Sequence, residues 1–170
     1  MNKMKEIRIE KVTLNVGAGK DPKQLERGVK LLKNIAGIDP VKTTTNKRIQ
    51  GWGLRPGLPI GCKITLRGKQ AEEMTDRLVY AKDNVFKESY FDNNGNISFG
   101  ILEYVDIKDA KYDVDIGMMG LQATITLTRP GYSVMRRRNK PSKIPRSHRI
   151  NKEEAISFLK ENFKVKVGEE

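Results

Sequence analysis

The chain has 170 residues, with 33 Lys and Arg against 21 Asp and Glu and a formal net charge of +12. That length supports one good core, and so basic a balance points to nucleic acid or another polyanion as partner while leaving the fold open. A lone cysteine, Cys62, excludes an internal disulfide and fits a reducing cytoplasm, and no apolar run approaches the roughly 20 residues that cross a bilayer.

The charge is unevenly distributed. Residues 41–69 hold seven basic side chains and no acid, and residues 129–149 hold eight basic and no acid. Between them, residues 70–115 reverse the sign, with five basic against eleven acidic. Two acid-free blocks around an acidic region imply one charged face.

In chain order, MNKMKEIRIEK has no apolar signal region and leads into a strand. Ile7, Ile9, Val12, Leu14 and Val16 nearly alternate, with a phase slip at Glu10–Lys11 that predicts a bulged strand or two short ones. Gly17–Lys20 reads GAGK between this strand and a helix, which resembles the start of a phosphate-binding loop. Such a loop needs a wider glycine spacing and a Ser or Thr after its lysine. Asp21 follows instead, so a plain strand-to-helix turn is the better account. Asp21 as N-cap, Pro22 at the first position, Gln24 in a capping pattern, an apolar face of Leu25, Val29, Leu32 and Ile35, and Gly37 as C-cap define the helix.

The first acid-free block predicts two β-like arms, Val41–Lys47 and Ile60–Arg67. Between them Gly51, Gly53, Pro56, Gly57 and Pro59 predict a protruding loop, residues 48–59, that carries Trp52. A second helix is predicted over 69–86, with Ala71, Met74, Leu78, Ala81 and Val85 in one stripe and its acids on a solvated face. Phe91–Gly95 reads as a turn, and Ile97, Phe99 and Ile101 as a strand. Residues 103–120 have no clean period and read as a solvated acidic connection. Asp106, Asp109, Asp113 and Asp115 lack the compact spacing of a calcium loop, so no metal is predicted. Leu121, Ala123, Ile125 and Leu127 alternate with Gln122, Thr124, Thr126 and Thr128, a half-buried strand. Residues 129–149 predict an extended basic arm or long loop ordered mainly by its partner, because Pro141 and Pro145 forbid a continuous helix. Asn151 and Glu154 then cap a helix through Ala155, Leu159 and Phe163, after which Lys164–Val167 forms a short strand or trails off.

The resulting architecture is α+β, one domain over residues 1–170, with a mostly antiparallel sheet and helices on one face. The open face presents Thr43, Thr45, Lys63, Thr65, Arg67, Thr124 and Thr126. Hydroxyls among cations suit phosphate and ribose oxygens, although ordinary β-propensity also makes faces rich in Thr. No catalytic residue is predicted. His148 is the only histidine and lies in the basic arm, Cys62 reads as packing, and CxxC, HExxH and GxSxG are absent. Without the aromatic pair that stacks single-stranded bases, the face suits the shape and phosphates of folded RNA. A small RNA-modifying or nucleotide-using enzyme, on the strength of GAGK, and a DNA-binding or chromatin-like basic protein are the alternatives.

NVGAGKD at 15–21, GLRPGLPIGCKITLRG at 53–68 and FDNNGNISFGILEY at 91–104 closely resemble the large-subunit ribosomal protein five family. GMMGLQATITLTRPGYSVMRRR at 117–138 and HRINKEEAI resemble its archaeal and eukaryotic branch. The resemblance covers essentially the whole chain. It implies a structural, non-enzymatic protein with no cofactor that binds 5S rRNA and attaches it to the large subunit in the central protuberance. The 5S-facing residues it implies are Asn15, Thr43, Thr45, Lys47, Lys63, Thr65 and Arg67. A tRNA-contacting loop would present Arg48, Gln50, Trp52 and Arg55 to peptidyl-site tRNA. Arg129, Arg136, Arg137, Arg138, Lys140, Lys143, Arg146 and Arg149 would make other rRNA contacts, including 23S rRNA. A bridge to a small-subunit head protein, with acidic residues 103–115 as its candidate surface, and contacts with other central-protuberance proteins complete the implied partners. Bacterial members place a helix before the first strand, whereas this chain begins almost at that strand.

Overall fold

The computed structural model describes residues 2–168. After a 3-10 turn at Lys3–Lys5, β1 spans Arg8–Gly17 without interruption, so the anticipated slip at Glu10–Lys11 does not divide it. Val12, Leu14 and Val16 are buried, while Lys11, Thr13 and Asn15 alternate on the opposite face and are only half-buried. Helix α1, Pro22–Ala36, begins where Asp21 accepts the Lys23 N–H and ends at Gly37, which takes the left-handed conformation. Glycine adopts that conformation without a Cβ penalty.

β2, Val41–Thr44, pairs antiparallel with β3, Pro59–Leu66. Helix α2, Lys69–Tyr80, is followed by β4, Val85–Lys87, and β5, Asn96–Ile101. β6, Leu121–Thr128, precedes a single helical turn, α3, Ser133–Arg136, then α4, Lys152–Phe163, and β7, Lys166–Gly168. The main sheet runs β2-β3-β1-β6-β5 and is mostly antiparallel, and β4 and β7 make a separate parallel pair. The fold is α+β.

The described residues divide into two compact units, one of residues 2–12, 67–98 and 124–168, the other of residues 13–66 and 99–123. In the second unit Leu14, Leu31, Leu32 and Cys62 have no exposed surface, and each buried leucine contributes roughly 1.5–3 kcal/mol of transfer free energy. Gly28 lets α1 approach closely: a Cβ there would stand 3.1 Å from both Cys62 Sγ and Val16 Cγ1. The first unit has its own core, in which Phe86, Ile97, Ile125, Ile150 and Leu159 are fully covered.

Three expectations need correction. The second helix stops at Tyr80, not residue 86. Asp83 and Asn84 adopt left-handed backbone (φ 51° and 58°), as short polar side chains do more readily than others, and Val85 turns outward into β4. Residues 103–120 are not simply a solvated connection. Tyr104, Ile107 and Ile116 are buried, and the Tyr104 hydroxyl accepts the Asp113 N–H at 2.9 Å. The basic segment takes the long-loop alternative, with one helical turn, and is packed by its own side chains instead of extending as a free arm. Ile144 and Ile150 are buried, the Tyr132 hydroxyl donates to the His148 carbonyl and accepts the Ile150 N–H, and the Ser142 N–H donates to the Val134 carbonyl. The prolines exclude a long helix, but two buried isoleucines suffice to fold the segment back.

Candidate nucleic-acid interface

β3 supplies the most regular cationic row. Beyond Cys62 its side chains alternate, with Ile64 and Leu66 buried and Lys63 and Thr65 exposed. Val41 of β2 lies opposite Lys63, and Thr43 lies opposite Gly61. A Cβ on Gly61 would stand 2.7 Å from the Val16 carbonyl and 3.1 Å from Thr43 Oγ1. Only glycine therefore lets the Thr43 hydroxyl settle over the β3 backbone beside the end of β1. On β1 of the same unit, Asn15 Nδ2 donates to Gln122 Oε1 at 3.2 Å, which fixes the amide. Thr43, Lys63, Thr65 and Asn15 thus offer hydroxyl, ammonium and amide groups from adjacent strands, a donor set suited to phosphate and ribose.

Thr45 does not join them. The pairing of β2 with β3 shifts between Thr43 and Thr44, skipping Ile60, and the chain beyond the shift turns the next side chain inward. Thr45 is 8% exposed, and its hydroxyl has no hydrogen-bond partner among the described residues. It is a buried polar group, not an RNA contact.

Residues 48–59 form a pinned hairpin tip. The Thr45 N–H donates to the Leu58 carbonyl, Ile49 and Leu54 exchange both backbone bonds, and Gln50–Trp52 makes a 3-10 turn closed by left-handed Gly53. Leu54 is buried, whereas Trp52 is 68% exposed, with Lys47, Arg48, Gln50 and Arg55 also in solvent. Lys20, weighed in the sequence as the lysine of GAGK, places its Cδ 3.8 Å from where a Gly53 Cβ would stand, which adds a cation beside the tip. Within GAGK the Ala18 N–H is spent on the Ile60 carbonyl, so that amide is not free for a nucleotide phosphate.

The other unit assembles a second cationic surface. Glu10, nearly buried on β1, accepts from both Arg136 Nη1 and Nη2, the latter at 2.6 Å, and from Arg67 Nη1 at 3.2 Å. Arg8, Arg67, Arg136 and Arg137 line one open cleft of about 490 Å³ around this carboxylate. The Arg136 hydrogen bonds outweigh partial desolvation and, with Arg67, hold the Glu10 pKa below the ordinary carboxylate value. Arg137, Arg138, Lys140, Lys143, Arg146 and Arg149 are exposed.

Arg129 is the exception in this block. It is 5% exposed, donates to the His148 and Arg149 carbonyls, and forms an ion pair with Glu154 at 2.7 Å. Its guanidinium holds the segment before α4 in place and is unavailable to RNA. For Glu154, burial raises the pKa, but the Asn151 N–H and Arg129 together outweigh it and leave the value lowered. Burial raises the Cys62 thiol pKa, which suits packing and not nucleophilic chemistry. Among the described residues no cluster of His, Cys, Asp and Glu is arranged to hold a metal ion, and no helix is long and apolar enough to cross a membrane.

Two family models match consecutive parts of the chain, one described as ribosomal protein L5 over residues 2–55, the other as the C-terminus of the same ribosomal family over residues 59–163. The large ribosomal subunit protein uL5 of Sulfurisphaera tokodaii is 46% identical over 170 residues, spanning 99% of this chain and 96% of that protein. The uL5 of Sulfolobus acidocaldarius is 45% identical, with 99% and 94% covered, and that of Nanoarchaeum equitans 47%, with 96% and 97% covered. With matches to both halves and archaeal relatives over nearly its full length, the chain belongs to the ribosomal L5 family of structural, non-enzymatic large-subunit proteins.

Proposed function

We propose that this protein binds 5S rRNA through the open face of β2, β3 and β1, and attaches it to the large subunit as part of the central protuberance. The observation that carries this reading is the Lys63–Thr65 row, exposed beside a Thr43 hydroxyl that Gly61 alone accommodates. Asn15, held by Gln122, lies on the neighbouring strand, and Lys47 extends the cationic row toward the tip.

The pinned tip suits a different RNA. Arg48, Gln50, Arg55 and the exposed Trp52 ring are set to meet peptidyl-site tRNA, where an indole stacks and cations neutralise phosphate. Arg67 stays among the 5S-binding residues, and the cations over residues 136–149 serve further rRNA, including 23S. The acidic surface of residues 103–115 is the proposed bridge to a basic small-subunit head protein, with other central-protuberance proteins as neighbours.

The test is a titration of 5S rRNA against a random RNA of equal length at physiological salt. A clear preference for 5S supports the reading, and equal affinity overturns it. The salt dependence of the specific complex should be steep, with log affinity falling by about 0.7–0.9 per phosphate neutralised, per unit of log salt.

A further inference from the structure

One cavity in the unit that contains the basic segment combines apolar and amide groups with its cations. It encloses about 390 Å³, within the usual range for a small organic ligand, and lies between the start of β5, the end of β6 and residues 132–149. Its floor is apolar: Leu127 is 2% exposed and Ile144 8% exposed. Met135, half exposed, stands at the rim. Floor and rim can cover the face of one ring system.

The polar groups on the cavity wall have a defined direction. Asn94 Nδ2 and Asn96 Nδ2 each donate to Asp92 Oδ2 at 3.3 Å. An ionised carboxylate only accepts, so both amide NH2 groups must face Asp92, and both Oδ1 atoms are left as acceptors. The Asn96 and Asn94 hydrogen bonds hold the Asp92 pKa low, so this orientation persists at neutral pH. Two fixed acceptors select a ligand that carries an amine donor and reject one that offers a carbonyl in the same place.

The cations complete the chemistry. Arg136 spends both terminal nitrogens on Glu10, which immobilises its guanidinium and leaves the planar face for stacking. Arg149 Nε donates to the Ile144 carbonyl at 3.2 Å, which fixes the stem and leaves its terminal nitrogens for a phosphate. We propose that this cleft receives one unstacked RNA nucleotide whose base carries an exocyclic amine: adenine, cytosine or guanine, not uracil. The inference rests on the reading that this chain binds rRNA, but not on 5S rRNA being the strand that supplies the nucleotide.

The test uses the full-length protein with 5S rRNA and 23S rRNA separately. Dimethyl sulfate and kethoxal report the pairing edges of A, C and G, and a carbodiimide reports U. In one of the two RNAs the wild type should protect a single unpaired A, C or G. The Asn94→Ala/Asn96→Ala double variant should re-expose that base and weaken binding about tenfold with an unchanged salt slope, since no phosphate contact is lost. Met135→Glu, at a solvent-exposed rim position where folding is safe, should re-expose the same base by placing a carboxylate at the mouth. No protected A, C or G in either RNA, protection that survives both variants, or a protected uridine in its place would each overturn the proposal. A protected base in 23S rRNA without any preference for 5S rRNA would sustain the cleft and defeat the 5S reading, so the two failures are distinguishable.

Discussion

The Glu10 carboxylate and the Arg136 guanidinium, 126 residues apart in sequence, meet in a two-pronged ion pair that Arg67 extends. Glu10 is nearly buried while both arginines stay about half exposed, so solvent moderates the pair and it contributes roughly 1–2 kcal/mol. Glu10→Gln should lower stability by about that amount in urea denaturation.

The same pair sets a pH dependence. The folded pKa of Glu10 lies below its ordinary value of 4.5. Its stabilisation is therefore fully present above the unfolded pKa and lost as pH falls through the folded one. The wild type should lose stability more steeply than Glu10→Gln in the acid limb below about pH 4.5, and the two curves should run parallel near neutrality. Parallel curves throughout the acid limb would show that Glu10 is not held low.

Arg129 and Arg138 should behave as opposites, although both belong to the same acid-free run. Arg129→Ala removes a buried guanidinium and leaves two carbonyls and Glu154 without their donor, which should cost about 2–4 kcal/mol in stability. At temperatures where it remains folded, its RNA-binding salt slope should match the wild type. Arg138→Ala should leave the melting temperature unchanged and reduce the slope by nearly one phosphate.

Thr45→Val should keep RNA affinity intact and leave stability unchanged or raised by about 1 kcal/mol, because it replaces a buried unpartnered hydroxyl with a methyl. Lys63→Ala should do the reverse, weakening binding and the salt slope without loss of stability. A melting-temperature series with parallel RNA titrations separates the two.

Gly61→Ala should destabilise the second unit by about 1–3 kcal/mol, since the new methyl would meet a backbone carbonyl at 2.7 Å that no rotamer change relieves. Chemical denaturation reads the loss directly. An alanine variant as stable as the wild type would mean the strands separate easily at that point.

Where a period is long and regular, the sequence disclosed the structure. α1 has its cap, proline, apolar stripe and terminal glycine all in register, and the Lys63–Thr65 row followed from simple alternation. Thr45 was missed because a register shift reverses which side a residue faces, and nothing in Thr43-Thr44-Thr45 marks it. Arg129 was legible in hindsight. It continues the odd-numbered series of Leu121, Ala123, Ile125 and Leu127, whose side chains all face the core, and its acidic partner lies 25 residues away beyond the basic segment. The charge count favoured solvent, but the strand parity favoured burial. The cavity of Asn94 and Asn96 has no linear signature, since its walls come from three separated stretches.

The β4–β7 pair couples Val85 to Lys166 and Lys87 to Gly168, so this ladder cannot exist until residue 168 has been made. The 13–66 and 99–123 unit, by contrast, has all its residues by position 123. On a translating ribosome the strand that ends the described chain arrives last, and the cationic segment 129–149 must emerge before its own unit is sealed. Closure of that unit therefore waits until residue 168 has been made, so the cationic segment spends the interval in a unit whose last strand pair has not yet formed.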